Sequence, residues 1–123
     1  MKVEVSVGEL LDKYSILEIK KELLGPSGKK LVELEISVLR ELVEGFLVNG
    51  ETRKLYEALR TANRKIWDDM EQVFNLRAVK SVQYFAAIES TIDLNIERSY
   101  LKRQINILSE STLLEAKSYF EEK

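Results

Sequence analysis

The sequence predicts an all-α fold: an antiparallel bundle of four long helices plus a short C-terminal helix, with a short extended arm at the N-terminus. Three observations predict it. Only five glycines and one proline interrupt 123 residues. Apolar side chains recur at three- and four-residue spacing over long stretches. Ser6 with Glu9, and Thr112 with Glu115, have the spacing of capping boxes, in which hydroxyl and carboxylate satisfy orphan amides at a helix start. Four amphipathic helices joined by short connections cannot each bury an apolar stripe alone, so they pack around one core. At this length one domain, 1–123, suffices and buries roughly two-thirds of the surface its unfolded chain exposes.

Residues 2–5, KVEV, alternate and read as the extended arm. A first helix is predicted over 7–24, after the Ser6 cap, and GPSG at 25–28 ends it. A second, over 29–48, places Leu31, Leu34, Val38, Leu39, Leu42 and Phe46 at helical spacing and closes at Asn49-Gly50. A third, over 52–74, contains LYEALRTANRKIWDDM, which turns Leu55, Tyr56, Leu59, Ile66, Trp67 and Met70 to one side. A fourth spans about 78–108. No strong breaker separates it from the third, so one bent helix is the alternative. The last helix is predicted over 113–121.

Composition excludes several kinds of chemistry. With no cysteine and no histidine, there are no disulfides, thiolate nucleophiles, Ser-His triads or His- and Cys-based metal sites. A formal charge of −2 leaves no broad basic field to attract nucleic acid or an anionic membrane. The start, MKVEVSVGEL, has no secretory apolar core, and no apolar run reaches membrane-spanning length. A cytoplasmic protein with no membrane segment is therefore expected, and no metal or other cofactor is implied.

The informative residues are polar ones in apolar phase. Asn63 falls inside the stripe of the third helix. On the fourth, the line through Tyr84, Ala87, Ile88 and Thr91 continues into Asn95, Arg98, Lys102 and Asn106, bordered by Leu94, Leu101 and Ile105. The first helix is apolar nearly all round and carries Glu9, Asp12, Lys13 and Lys20 beside its stripes, with Glu18 and Glu22 on its more polar back. Glu35 lies among leucines of the second helix. An unpaired buried ion costs several kcal/mol, and an unmet amide about 1–3 kcal/mol, so these groups must meet one another, water or a ligand.

Two readings follow. In one, the groups form a satisfied internal network, with Asp12 or Glu35 pairing Arg98 or Lys102 and the asparagines tying helices together. The chain is then a non-enzymatic oligomerisation or interaction module, and stripes this wide for a small bundle suit a homodimer. In the other, preferred because three helices supply Lys, Arg and Asn together, the recess is a pocket for a small anion such as a phosphate, nucleotide sugar or carboxylate. Glu9, Asp12, Lys13, Lys20, Asn63, Asn95, Arg98, Lys102 and Asn106 are the candidate binding residues. Glu9, Asp12 and Glu18 are the nearby proton-transfer candidates, and no catalytic residue is assigned. A third reading is a magnesium-dependent helical pyrophosphohydrolase. It finds carboxylate spacing at Asp68 with Glu71 and at Glu89 with Asp93, but these point away from the Asn63 and Asn95 faces.

The segments VSVGELLDKYSILEIKKE at 5–22, Asn63 followed by Trp67, N-x-x-R-x-x-x-K-x-x-I-N at 95–106, and E-x-K-S-Y at 115–119 together resemble an uncharacterised family of short helical proteins from bacteria and phages. Its strongest pattern, G-E-x-x-D-K-x-x-I-L-E-I-K, falls on Gly8, Glu9, Asp12, Lys13, Ile16, Leu17, Glu18, Ile19 and Lys20. Around Trp67 the chain departs, with Met70, Glu71 and Phe74 where relatives carry an acidic pair and an arginine. The resemblance implies a helical fold with a polar site shared by the first, third and fourth helices. It implies no activity; some relatives accompany surface-sugar biosynthesis enzymes, which points only weakly toward nucleotide-sugar or glycan work.

Overall fold

Residues 5–109 are described by a computed structural model. They form four helices in the order α1 (Val7–Leu23), α2 (Pro26–Leu47), α3 (Gly50–Leu76) and α4 (Val82–Leu108), with no strand among the described residues. Apart from Val5, the expected arm at 2–5 lies outside the described residues, as does the expected helix at 113–121.

Local signals account for the boundaries. Ser6 caps α1 by accepting from the Glu9 amide at 3.1 Å, as its spacing predicts. The break before α2 is shorter than GPSG suggests. Leu24 and Gly25 are extended, and Pro26 already occupies the first turn of α2, where its missing N–H costs nothing because that amide has no intrahelical partner. Among the described residues none takes a left-handed conformation. Asn49 caps α3 through the amides of Glu51 and Thr52, so this helix starts earlier than expected. Helices three and four are separate: the chain turns between Leu76 and Val82, and Ser81 caps α4 by accepting from the Tyr84 amide at 3.3 Å.

The most extensive packing is between α3 and α4, while α1 touches every other helix. α1 lies obliquely on the α3–α4 hairpin. Its start meets α4, where the Gly8 amide donates to Asn106. Its middle meets α3, where Ser15 lies against Asn63. Gly8 makes the first contact possible. A Cβ there would stand 2.6 Å from the Lys102 carbonyl oxygen and 2.9 Å from Asn106 Oδ1, inside contact distance. The core joins Val7, Leu11, Tyr14 and Leu17 of α1 to Val32, Ile36, Val43 and Leu47 of α2, Tyr56, Leu59 and Ala62 of α3, and Leu101 and Ile105 of α4.

α2 corrects the sequence expectation. Its core face is Val32, Ile36, Val43 and Leu47, with Leu39 and Phe46 partly buried. Leu31, Leu34, Val38 and Leu42, which helical spacing alone puts on the buried stripe, are 69%, 62%, 73% and 55% exposed. Both rows have helical spacing, so periodicity cannot choose between them; contact with α1 does. Glu35 is exposed and pairs with neither Arg98 nor Lys102.

α3 and α4 each have 27 residues against 17 in α1, or about 40 Å against 25 Å at a rise of about 1.5 Å per residue. The outer part of the hairpin thus has less cover. Met70, Phe74, Val79, Val82 and Phe85 are exposed there.

Candidate functional site

Asp12 is the hub of the polar cluster. Its Oδ1 accepts from Asn63 Nδ2 at 2.9 Å and from Arg98 Nε at 2.8 Å, and its Oδ2 accepts from Arg98 Nη2 at 2.5 Å. Lys102 Nζ stands 3.9 Å from Asp12 Oδ2 and 2.7 Å from Glu9 Oε1. Asn63 Nδ2 also donates to Ser15 Oγ at 2.7 Å, and Ser15 donates to the Asp12 carbonyl at 2.7 Å. Burial pushes the Asp12 carboxyl up, but the hydrogen bonds from Arg98 and Asn63 and the charges of Arg98 and Lys102 outweigh it and hold it below the usual carboxylate value. Asp12 raises the Arg98 pKa in turn, so both remain charged.

Of the residues marked by the sequence, Glu9, Asp12, Asn63, Arg98 and Lys102 converge here. Asn106 joins them at the edge, its Oδ1 accepting from the Gly8 amide at 2.7 Å. That bond satisfies one of the four amides that a helix start leaves unpaired. The remaining three stand apart. Lys13 is exposed, Lys20 is half-buried and forms no ion pair among the described residues, and Asn95 donates to the Thr91 carbonyl of its own helix at 2.9 Å.

Two features of the site do not show in the sequence pattern. Ser15 is fully buried against Asn63; a serine in an apolar helix gave a weak signal for it. Glu18, expected on the polar back of α1, accepts from the Tyr56 hydroxyl and from Arg60 Nη1, the latter at 3.2 Å. A buried tyrosine on the core stripe of α3 needs a partner for its hydroxyl, and Glu18 supplies it. Burial, the Glu18 hydrogen bond and the Glu18 charge all raise the Tyr56 pKa.

Beside the cluster lies an open cleft of about 750 Å³ between α1 and α3. Ile16, Ile19, Ile66, Trp67, Met70 and Phe74 make it mostly apolar, and Asn63, Arg98, Glu71 and Asn75 supply its polar groups. Glu71, which its phase placed away from Asn63, is exposed but lies on the wall of this same cleft. From Asn63 to Asn75 the wall runs along α3 for about 18 Å. The other carboxylates of the magnesium reading do not gather. Asp68 pairs with Arg64 at 3.4 Å, and no group of three acidic or other metal-ligating side chains forms among the described residues. No helix there is long and apolar enough to cross a membrane.

Two carboxylates and two cations close on one another, with an elongated apolar cleft alongside. Fold and site therefore define a small helical bundle whose helices α1, α3 and α4 are joined by an ion-paired cluster. The chain belongs to DUF6165, a family of unknown function, which it matches over residues 1–122. No curated protein and no solved structure matches it.

Proposed function

We propose that this chain is a non-enzymatic, self-associating helical module whose polar cluster fixes the placement of α1 on the α3–α4 hairpin. The observation that carries this reading is the internal neutralisation of the cluster. Asp12 takes two of the three guanidinium nitrogens of Arg98, and Glu9 takes Lys102, so no full positive charge is left for a phosphate. What remains unpartnered is apolar and extended, which suits a helix better than a compact anion.

A second copy of the chain fits the cleft. Glu71 stands eight positions from Asn63 on the wall of α3, with Trp67 midway and Arg98 beside Asn63 at the other end. A twofold axis at Trp67 with the two α3 helices antiparallel brings Glu71 of each copy to Asn63 and Arg98 of the other. It also stacks the apolar rows on each other. Closed, isologous pairing of this kind is the commonest form of homo-oligomer, and it covers a row that a monomer leaves in water.

Light scattering on the full chain tests the proposal. A dimer is expected, weakened by Met70→Glu and by Glu71→Lys, with Trp67 emission shifting to the red on dilution. A monomer at every concentration, or a dimer indifferent to both substitutions, overturns it. A second reading rests on the third guanidinium nitrogen of Arg98, which faces no acceptor among the described residues: it would receive one carboxylate or phosphate oxygen of a small ligand. Stabilisation by inorganic phosphate, a nucleotide sugar or a dicarboxylate in a thermal-shift assay would favour that reading.

A further inference from the structure

A helix on the outside of a small bundle ordinarily sets an apolar stripe against the core and polar side chains opposite it. The helix α4 departs from this. It packs Ala87, Leu101 and Ile105 inward, yet Phe85, Ile92, Ile96, Tyr100 and Ile107, which about 100° of rotation per residue puts on the opposite side, are each more than half exposed. Two charges complete this outer row, Glu89 and Arg103. Both are exposed, and neither forms an ion pair among the described residues. They stand about 21 Å apart along the helix, too far to meet each other. The seven positions are separated by 4, 3, 4, 4, 3 and 4 residues, a spacing that reads the same from either end with Ile96 at its centre.

We infer that this row is a docking surface for a second copy of the chain, whose α4 runs antiparallel about a twofold axis at Ile96. The axis sets Ile96 against itself, Ile92 against Tyr100 of the second copy, and Phe85 against Ile107. It also sets Glu89 of each copy against Arg103 of the other, so two ion pairs form that neither copy can make alone. A parallel pair would instead set Glu89 against Glu89 and Arg103 against Arg103, and like charges brought together oppose it. Asp93, on the shoulder of the row, stands about 9 Å along the pair from its own copy and about 6 Å from Arg103 of the second copy, so the arginine offsets that repulsion. The row spans about 33 Å, and an apolar strip of that length facing water marks an interaction surface rather than scattered exposed residues. It lies away from the cleft between α1 and α3, so this contact goes beyond the self-association proposed above and does not rest on it. A chain that uses both faces assembles past the dimer, and a tetramer is the smallest closed form.

Analytical ultracentrifugation of the full chain carrying Met70→Glu tests the inference. That substitution disables the cleft contact, so association that persists belongs to α4. Self-association is expected to remain, and to weaken at least about tenfold when Glu89→Arg or Arg103→Glu is added. It is expected to return when both reversals are combined in one chain, or when the two single-reversal chains are mixed. As a second readout, the chain has no cysteine, and Ile96→Cys is expected to form a disulfide between copies under mild oxidation. Ala86→Cys, whose copies lie about 30 Å apart in this pairing, is not. Should Met70→Glu change nothing, the cleft reading fails and this one stands. A Met70→Glu chain that stays monomeric at every concentration leaves the row to a different partner and overturns the inference. Equal cross-linking at both positions, or association indifferent to the charge reversals, overturns it as well.

Discussion

Asp12 and Arg98, 86 positions apart in sequence, meet through two parallel hydrogen bonds of 2.8 and 2.5 Å. This fork is the tightest link between α1 and α4. Asp12 is buried, while the Arg98 side chain keeps 27% of its exposure. Removing one partner of such a pair leaves the other short of its counter-charge, whereas replacing both with apolar groups of similar size is often close to neutral. Asp12→Ala is therefore expected to cost about 3 kcal/mol of unfolding free energy. The double variant Asp12→Leu with Arg98→Met is expected to recover most of the loss. Urea denaturation followed by circular dichroism measures both.

The same pair sets the acid response. The folded pKa of Asp12 lies below its usual value of 3.8, so the native state binds fewer protons than the unfolded chain in that range. The contribution is complete above the unfolded value and is lost as pH falls through the folded one. Stability is expected to decline on acidification below about pH 4, with a shallower decline in Asp12→Asn. Parallel rather than converging curves for the two proteins would show that other carboxylates set the acid limit.

At the alkaline end the group to follow is Tyr56. Its folded pKa is raised above the usual 10.0, so the native state retains a proton that the unfolded chain releases. That contribution is complete below pH 10 and is lost as pH rises beyond it. Tyr56→Phe should cost about 1 kcal/mol at neutral pH by removing the bond to Glu18. It should also flatten the loss of stability as pH rises above about 10.

Gly8→Ala tests the closest approach of α1 to α4. One obstacle is backbone, the Lys102 carbonyl oxygen, which cannot rotate away. The helices must separate, stretching the Gly8–Asn106 bond and the Glu9–Lys102 pair, and a loss of about 1–3 kcal/mol is expected from overpacking. An alanine in an unobstructed helix would instead raise stability, so the sign of the change in melting temperature decides the matter.

Read alone, the sequence determined that the chain is helical and roughly where its described helices lie, but not that α3 and α4 are separate. It also marked Glu9, Asp12, Asn63, Arg98 and Lys102, which the structure brings together. Helix spacing and caps are local, and a polar residue in apolar phase shows itself against its own neighbours. Only the tertiary structure decided which row of α2 turns inward, because Val32–Ile36–Val43 and Leu31–Val38–Leu42 satisfy the same periodicity. Packing also chose the partners: Glu18 for Tyr56, Asn106 for Gly8, and Glu71 for the wall of the Trp67 cleft. Those choices depend on how α1 crosses a hairpin formed dozens of residues later in the chain, and the pattern along a single helix carries no information about that crossing.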